Sequence, residues 1–334
     1  MNAEPAPREL PAEEGSAALA RLEIPIAAGI SALFFTAFLS MRLVGGFFYP
    51  LAGVSLVRLT HRRGAASGLL AATLAGVIVF AVGLVSGSAG AAVALGAQAF
   101  AASALPVAAA ARVRRGTDPS RAYLGLCIVG ALLSTGLLLA LPLLGEPPLT
   151  ASLRVFLDAN IPAAMESWKR SGMDAATLEQ MRRAADQARE IVVRYWPGLL
   201  GLAWALSSAV TFYLGAWAGR PAPSAEATRF ESLRIPAGGA MLFVASGAAF
   251  ALFPGPPRTV SGAVLVLLAA LYFLAGLSII CHFARRWFRA RILRVGIYVL
   301  AAYFPMSLGV ALLGLFDWYV NFRRRGEKGE REKK

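Results

Sequence analysis

The sequence predicts an all-α fold: a polytopic transmembrane helix bundle of eight or nine spans with an extramembrane amphipathic helical insertion. Three observations carry that expectation. Of 334 residues, 57% are hydrophobic and only 16% charged, against about 25% charged in a soluble domain. The apolar residues are gathered into runs, most of them long enough to cross a hydrocarbon core of roughly 30 Å at about 1.5 Å per residue. The net charge of +14 sits largely at the ends of those runs, where arginines meet anionic lipid headgroups and fix orientation. It therefore points to the bilayer as partner and away from nucleic acid.

Taken in order, residues 1–23 hold five glutamates and two arginines without an apolar core. They read as a disordered leader, not a secretory signal. Nine apolar runs follow at about 24–41, 43–57, 64–85, 89–111, 122–144, 195–219, 237–254, 260–283 and 295–320. An N-terminal bundle of four or five spans is expected over 24–145 and a C-terminal bundle of three or four over 195–322. The run at 43–57 contains Gly45, Gly46, Pro50 and Gly53, so a broken or partly re-entrant helix is expected there. Gly and Ala dominate 64–111, and small residues allow close helix contact in lipid, which puts these helices in the bundle interior.

Residues 146–194 form the insertion, with seven acidic and seven basic residues. Leu178, Met181, Ala185, Ala188 and Val192 recur at helical spacing behind Asp174 as N-cap, and Leu149, Leu153, Phe156, Leu157 and Ile161 mark a second helix. The pair either caps a cavity on the outer face or lies on the headgroups. The loops 58–63, 112–121, 220–234 and 285–294 hold fifteen arginines, which assigns them to the cytoplasmic side. Nine crossings would translocate the basic disordered tail, 323–334, with its seven Lys and Arg. Either that happens, or the last run turns back near Pro305, or one run does not cross.

The chemistry-bearing motifs are mostly absent. There is no GxxxxGK[ST], HExxH or GxSxG; Cys127 and Cys281 lie inside apolar runs; and His61 and His282 are the only histidines. No enzymatic activity, metal or cofactor is expected. Polar groups at membrane depth are costly and each is a candidate site. Gln98 sits mid-span, to bind a solute or to bond between helices. Arg42, beside Ser40 and Tyr49, either meets an anionic solute or snorkels to headgroups. Asp317 ends the last run among Trp318, Tyr319 and Arg323, as a helix-end ion pair or a proton relay. Arg42, Tyr49, Gln98 and Asp317 are thus the candidate substrate-binding residues. The collar Arg285, Arg286, Arg289, Arg291 and Arg294 interleaves Trp287, Phe288, Ile292 and Leu293, a pattern for anionic headgroups or an acidic partner. Ala28 and Ala32 form a small-residue stripe suited to docking a second helix.

The segment RIPAGGAM with Pro236, the run LYFLAGLSII with Tyr272 and Gly276, and the closing LGLFDWYVNFRRR with Gly314, Asp317 and Arg323 resemble the YybS-like family of uncharacterised bacterial membrane proteins. The Ala-rich opening helix and YPLAGVSLVRLTHRRG are more distantly similar to the substrate-capturing S components of energy-coupling-factor transporters. That similarity implies an outward-opening solute cavity. It also implies docking, through Ala28 and Ala32, to a membrane coupling protein driven by ATPases. The expectation is a multi-pass protein of the bacterial inner membrane, either binding a small solute as a subunit of an uptake system or organising partners as a structural or assembly protein. An intramembrane enzyme acting on lipid has no visible catalytic group.

Overall fold

The computed structural model describes residues 12–41, 45–219, 229–288, 290–303 and 305–323. Arg42, Arg289, most of the tail and the first half of the leader lie outside the described residues. Among the described residues every regular element is helical.

Helix α1 (Ala12–Ser40) begins inside the stretch expected to be disordered. The Ala, Glu and Leu of AEEGSAALARLE are strong helix formers and carry the helix back beyond the membrane-depth residues. A single turn, Tyr49–Ala52, and the ten-residue α2 (Val54–Arg63) come next. They are followed by α3 (Ala65–Ser86), α4 (Ala89–Arg114) and α5 (Pro119–Leu139). Helices α6 (Leu149–Arg170) and α7 (Ala175–Ala209) pack on each other as a hairpin. Helix α7 is one element from the insertion into the bundle, with a single non-helical residue, Tyr195, two positions before Pro197. It continues through a π-helical turn, Val210–Leu214, and a last α-turn, Gly215–Gly219. The chain closes with α8 (Ala237–Leu252), α9 (Pro256–Trp287), α10 (Arg291–Ala302) and α11 (Met306–Val320).

Six of these helices are long and apolar enough to cross a membrane, or seven if α10 and α11 count as one bent span. The sequence led us to expect eight or nine. The run at 43–57 divides into a turn and part of α2, α8 has only 16 residues, and α10 meets α11 at 94°.

Packing is inverted relative to a water-soluble protein. Many buried positions are small or hydroxylated, such as Ala28, Ala71, Ala72, Ser31, Ser103 and Ser134, beside larger ones such as Tyr123, Trp204 and Phe212, while Leu132, Val129, Leu70 and Val77 face outward. With lipid outside, close backbone approach and hydrogen bonds between helices hold the bundle together. One apolar cluster draws on α1 to α4 and another mainly on α5, α7 and α9. Helix α5, grouped with the N-terminal bundle by sequence, packs on α4 of that bundle and also on α7, so it joins the two clusters. Ala28 and Ala32 are 0% and 3% exposed, inside the first cluster with Ala71, Ala72 and Ala75. The stripe expected to dock a coupling protein is therefore covered by the chain itself, because its small side chains admit α3.

Polar contacts sort the helix ends onto two faces. On one, Arg63 Nε pairs with Glu23 at 2.6 Å, Arg114 donates to the Thr60 carbonyl at 2.6 Å, and Ser120 donates to the Ser232 carbonyl at 3.3 Å. Arg285 and Arg323 reach Glu231 on this same face. On the other, Glu146 accepts from the backbone of Ala91 at 3.1 Å, and Arg194 donates to Thr259 at 3.4 Å. The first face gathers the arginine-rich loops, and the α6–α7 hairpin stands on the second.

Candidate functional site

The site is a groove of about 760 Å³ at the arginine-rich face, between the end of α7, the second half of α9, and α10. Its walls are apolar: Leu206, Val210 and Leu214 on one side, Phe273, Leu274 and Leu277 on the other. The π-helical turn shapes the first wall. Such turns insert one extra residue into a helix and are frequent at functional sites. Here the turn turns Phe212 wholly into the core while Val210 and Leu214 stay 42% and 37% exposed on the groove. Thr211 anchors the turn by donating its hydroxyl to the Pro50 carbonyl at 2.5 Å.

The groove has a polar end and an apolar end. Arg229 and Arg285 are the charged side chains lining it, with Phe230 and the 73%-exposed Trp217 at the same level. Arg285 Nε is 2.6 Å from Glu231 Oε1, and its side chain remains 54% exposed. Deeper, Tyr213 also lines the groove. It is 8% exposed, and its hydroxyl has no hydrogen-bond partner among the described residues. Aromatic rings and arginines at one end of a greasy slot match the interface of a bilayer, with hydrocarbon below.

Glu231 also belongs to a second arrangement that fixes the floor of this site. Arg323 is 5% exposed and donates to the Glu231 carbonyl at 2.6 Å, the Leu233 carbonyl at 2.9 Å and Ser278 Oγ at 2.7 Å. Asp317 lies 3.8 Å from the same guanidinium and accepts from the Phe322 backbone at 3.2 Å. Asn321, with φ 51°, turns the chain back so that Arg323 can reach inward. Asp317, expected as a helix-end ion pair or a proton relay, makes an ion pair and a backbone cap here.

Tyr49 and Gln98, two further candidates from the sequence, are not among the residues that line the groove. Gln98 donates to Ser134 Oγ at 2.9 Å, and Trp204 donates to the same oxygen at 2.6 Å, joining α4, α5 and α7. Tyr49 lies beside Gln98, and its ring packs at a tilt against Phe35 and Phe38. The structure thus brings Tyr49 and Gln98 together, in an interhelical network. Of the collar, Arg285 lines the groove, Arg286 and Arg291 are exposed, and Arg294 is half-buried. Glu231 and Arg229 were missed in the sequence as site residues. The available signal was an acid, Glu231, set in a basic loop directly before the RIP segment.

The family model described as Predicted membrane protein (DUF2232) matches residues 29–318. Neither the curated proteins nor the solved structures contain a match.

Proposed function

Starting from a chain that belongs to the DUF2232 family of predicted membrane proteins, we propose that it binds an amphiphilic small molecule in the groove between α7, α9 and α10, without catalysing a reaction. The observation that carries this reading is the groove's polarity: apolar walls along its length and charged lining residues, Arg229 and Arg285, at one end. A soluble polar solute would want polar groups distributed over a site. An amphiphile wants this segregation.

The same kind of contact supports a finer topology, which we propose alongside. Phe38 packs on Tyr49 and Glu23 pairs with Arg63, so the broken segment 49–63 runs back along α1 and makes a crossing with it. With α8 crossing as a short helix, the chain makes eight crossings. The α10–α11 pair then dips in and returns to the arginine-rich face, which is cytoplasmic by the positive-inside rule. The α6–α7 hairpin is extramembrane on the opposite side. This arrangement suits the inner membrane of a bacterium and keeps the basic tail with the other arginines.

The test is to fill the groove. Leu277→Trp should abolish co-purification of a bound amphiphile, read by mass spectrometry of the intact protein, while leaving the melting temperature near that of the parent. Equal amphiphile content in both proteins would remove the basis of the reading. The alternative, a structural or assembly protein, rests on α6, which has no buried residue and exposes Val155 and Phe156 at 70% and 57%. Phe156→Ser would then impair a partner complex without altering groove binding. An uptake subunit coupled to ATPases would need a docking surface other than Ala28 and Ala32.

A further inference from the structure

Resting on the amphiphile reading above, we infer that the occupant is an anionic phospholipid of the arginine-side leaflet, whose phosphate takes the place of the Glu231 carboxylate on Arg285. Length is the first argument. Along α9 from Arg285 to Phe273 the groove spans about 18 Å at the helical rise, and about half of a hydrocarbon core of roughly 30 Å is one leaflet. The slot therefore matches a single acyl chain entering from the face that carries the arginines.

Charge is the second argument. Both charged lining residues, Arg229 and Arg285, are cationic and sit at the headgroup end beside Trp217. Guanidinium forks bind phosphate oxygens in pairs. Arg285 is the exposed member of its pair, at 54% against 15% for Glu231, so a phosphate arriving from the arginine side meets the guanidinium first and competes with the carboxylate for it. The Glu231 backbone carbonyl stays bonded to Arg323 throughout, so the exchange moves a side chain and leaves the loop in place.

The third argument is Tyr213, a residue of the groove lining whose buried hydroxyl has no hydrogen-bond partner among the described residues. It lies four residues deeper than Trp217, about 6 Å along the helix, where a glycerol ester carbonyl follows a phosphate. A buried hydroxyl needs an acceptor, and a small turn of the Tyr213 side chain would bring it to the ester carbonyl of a chain seated in the groove.

The experiment uses the full chain in phosphatidylcholine nanodiscs, titrated with phosphatidylglycerol or phosphatidylcholine carrying brominated chains, reading tryptophan quenching with Trp217→Phe as the site control. Phosphatidylglycerol should bind about five-fold more tightly, the contribution of roughly one basic residue near an anionic headgroup. Arg285→Gln should erase that preference, with Arg285→Lys retaining most of it. Glu231→Gln should tighten phosphatidylglycerol by removing the competing carboxylate, and Tyr213→Phe should weaken both lipids by about five-fold. Glycerol phosphate alone should not compete; competition would assign the site to a soluble anion and overturn the inference. Equal binding of the two lipids would overturn the anionic assignment while leaving the groove reading intact. Weaker binding by Glu231→Gln would overturn the exchange. Quenching unchanged by both Trp217→Phe and Leu277→Trp would overturn the groove reading itself.

Discussion

Arg323 is a buried cation whose three hydrogen bonds and one carboxylate tie the chain's end to the 229–234 loop and to α9. Removing one partner of such an arrangement strands the rest: two carbonyls and a hydroxyl lose a donor and Asp317 loses its counter-charge at once. Arg323→Ala should destabilise the fold by about 3 kcal/mol, seen as a lower melting temperature in detergent. Arg323→Lys should recover only part, since a compact ammonium cannot reproduce the planar fork; full recovery would mean that charge alone matters. Asp174 offers a contrasting exposed case. The Thr177 hydroxyl, and then the Thr177 backbone amide, donate to its carboxylate and hold its pKa below the usual value. A lowered folded-state pKa means the cap is fully effective above the ordinary carboxylate range of about 4 and is lost as pH falls through the lowered value. The protection of the Ala176 and Thr177 amides, taken relative to intrinsic exchange at each pH, should fall in that acidic window and stay constant in Asp174→Asn.

At the scale of elements, the decisive feature is the crossing of α9 and α11. A Cβ built on Gly276 would strike the Val310 carbonyl, and one on Gly314 would strike that of Tyr272. Both glycines are therefore required for backbones to touch, and the close crossing lets the α11 end swing back so that Arg323 reaches Ser278. Gly276→Leu or Gly314→Leu should cost at least about 2 kcal/mol through overpacking and should expose Cys281 to thiol reagents, whereas Gly309→Leu, with open space around it, should do neither. These two glycines were legible in the sequence as parts of a motif, but their contact was not, because a run of apolar residues carries no information about which face meets which neighbour. The same blindness explains the span count. Hydropathy sees 295–320 as one continuous run and cannot register a 94° bend, although Pro305 marks its place. The glycines and proline at 43–57 did announce a broken helix. The groove stayed hidden because it is made by a π-helical turn and by α10, and nothing in the composition of VTFYL distinguishes a π turn from an α turn.

For the molecule as a whole, the argument turns on where charge ends up. Glu23, Arg63, Arg114, Ser120, Glu231, Arg285 and Arg323 are linked by contacts into one face. The opposite face carries the α6–α7 hairpin, whose acids and bases pair within it, as at Asp158–Arg189 and Glu179–Arg183. The arginines of the first face stand in short loops directly beside the apolar helices, the position that counts most for orientation, and this predicts that face to be cytoplasmic. Reporter fusions joined at 64, 116 and 288 should all read cytoplasmic, and those at 88, 172 and 255 should read external. A fusion at 323 is the discriminating one. A bent pair that returns to its own face puts it in the cytoplasm with the other arginines, and an external reading there would mean that α10 and α11 together form a complete crossing, leaving Arg323 unable to hold Glu231 and the groove without its floor.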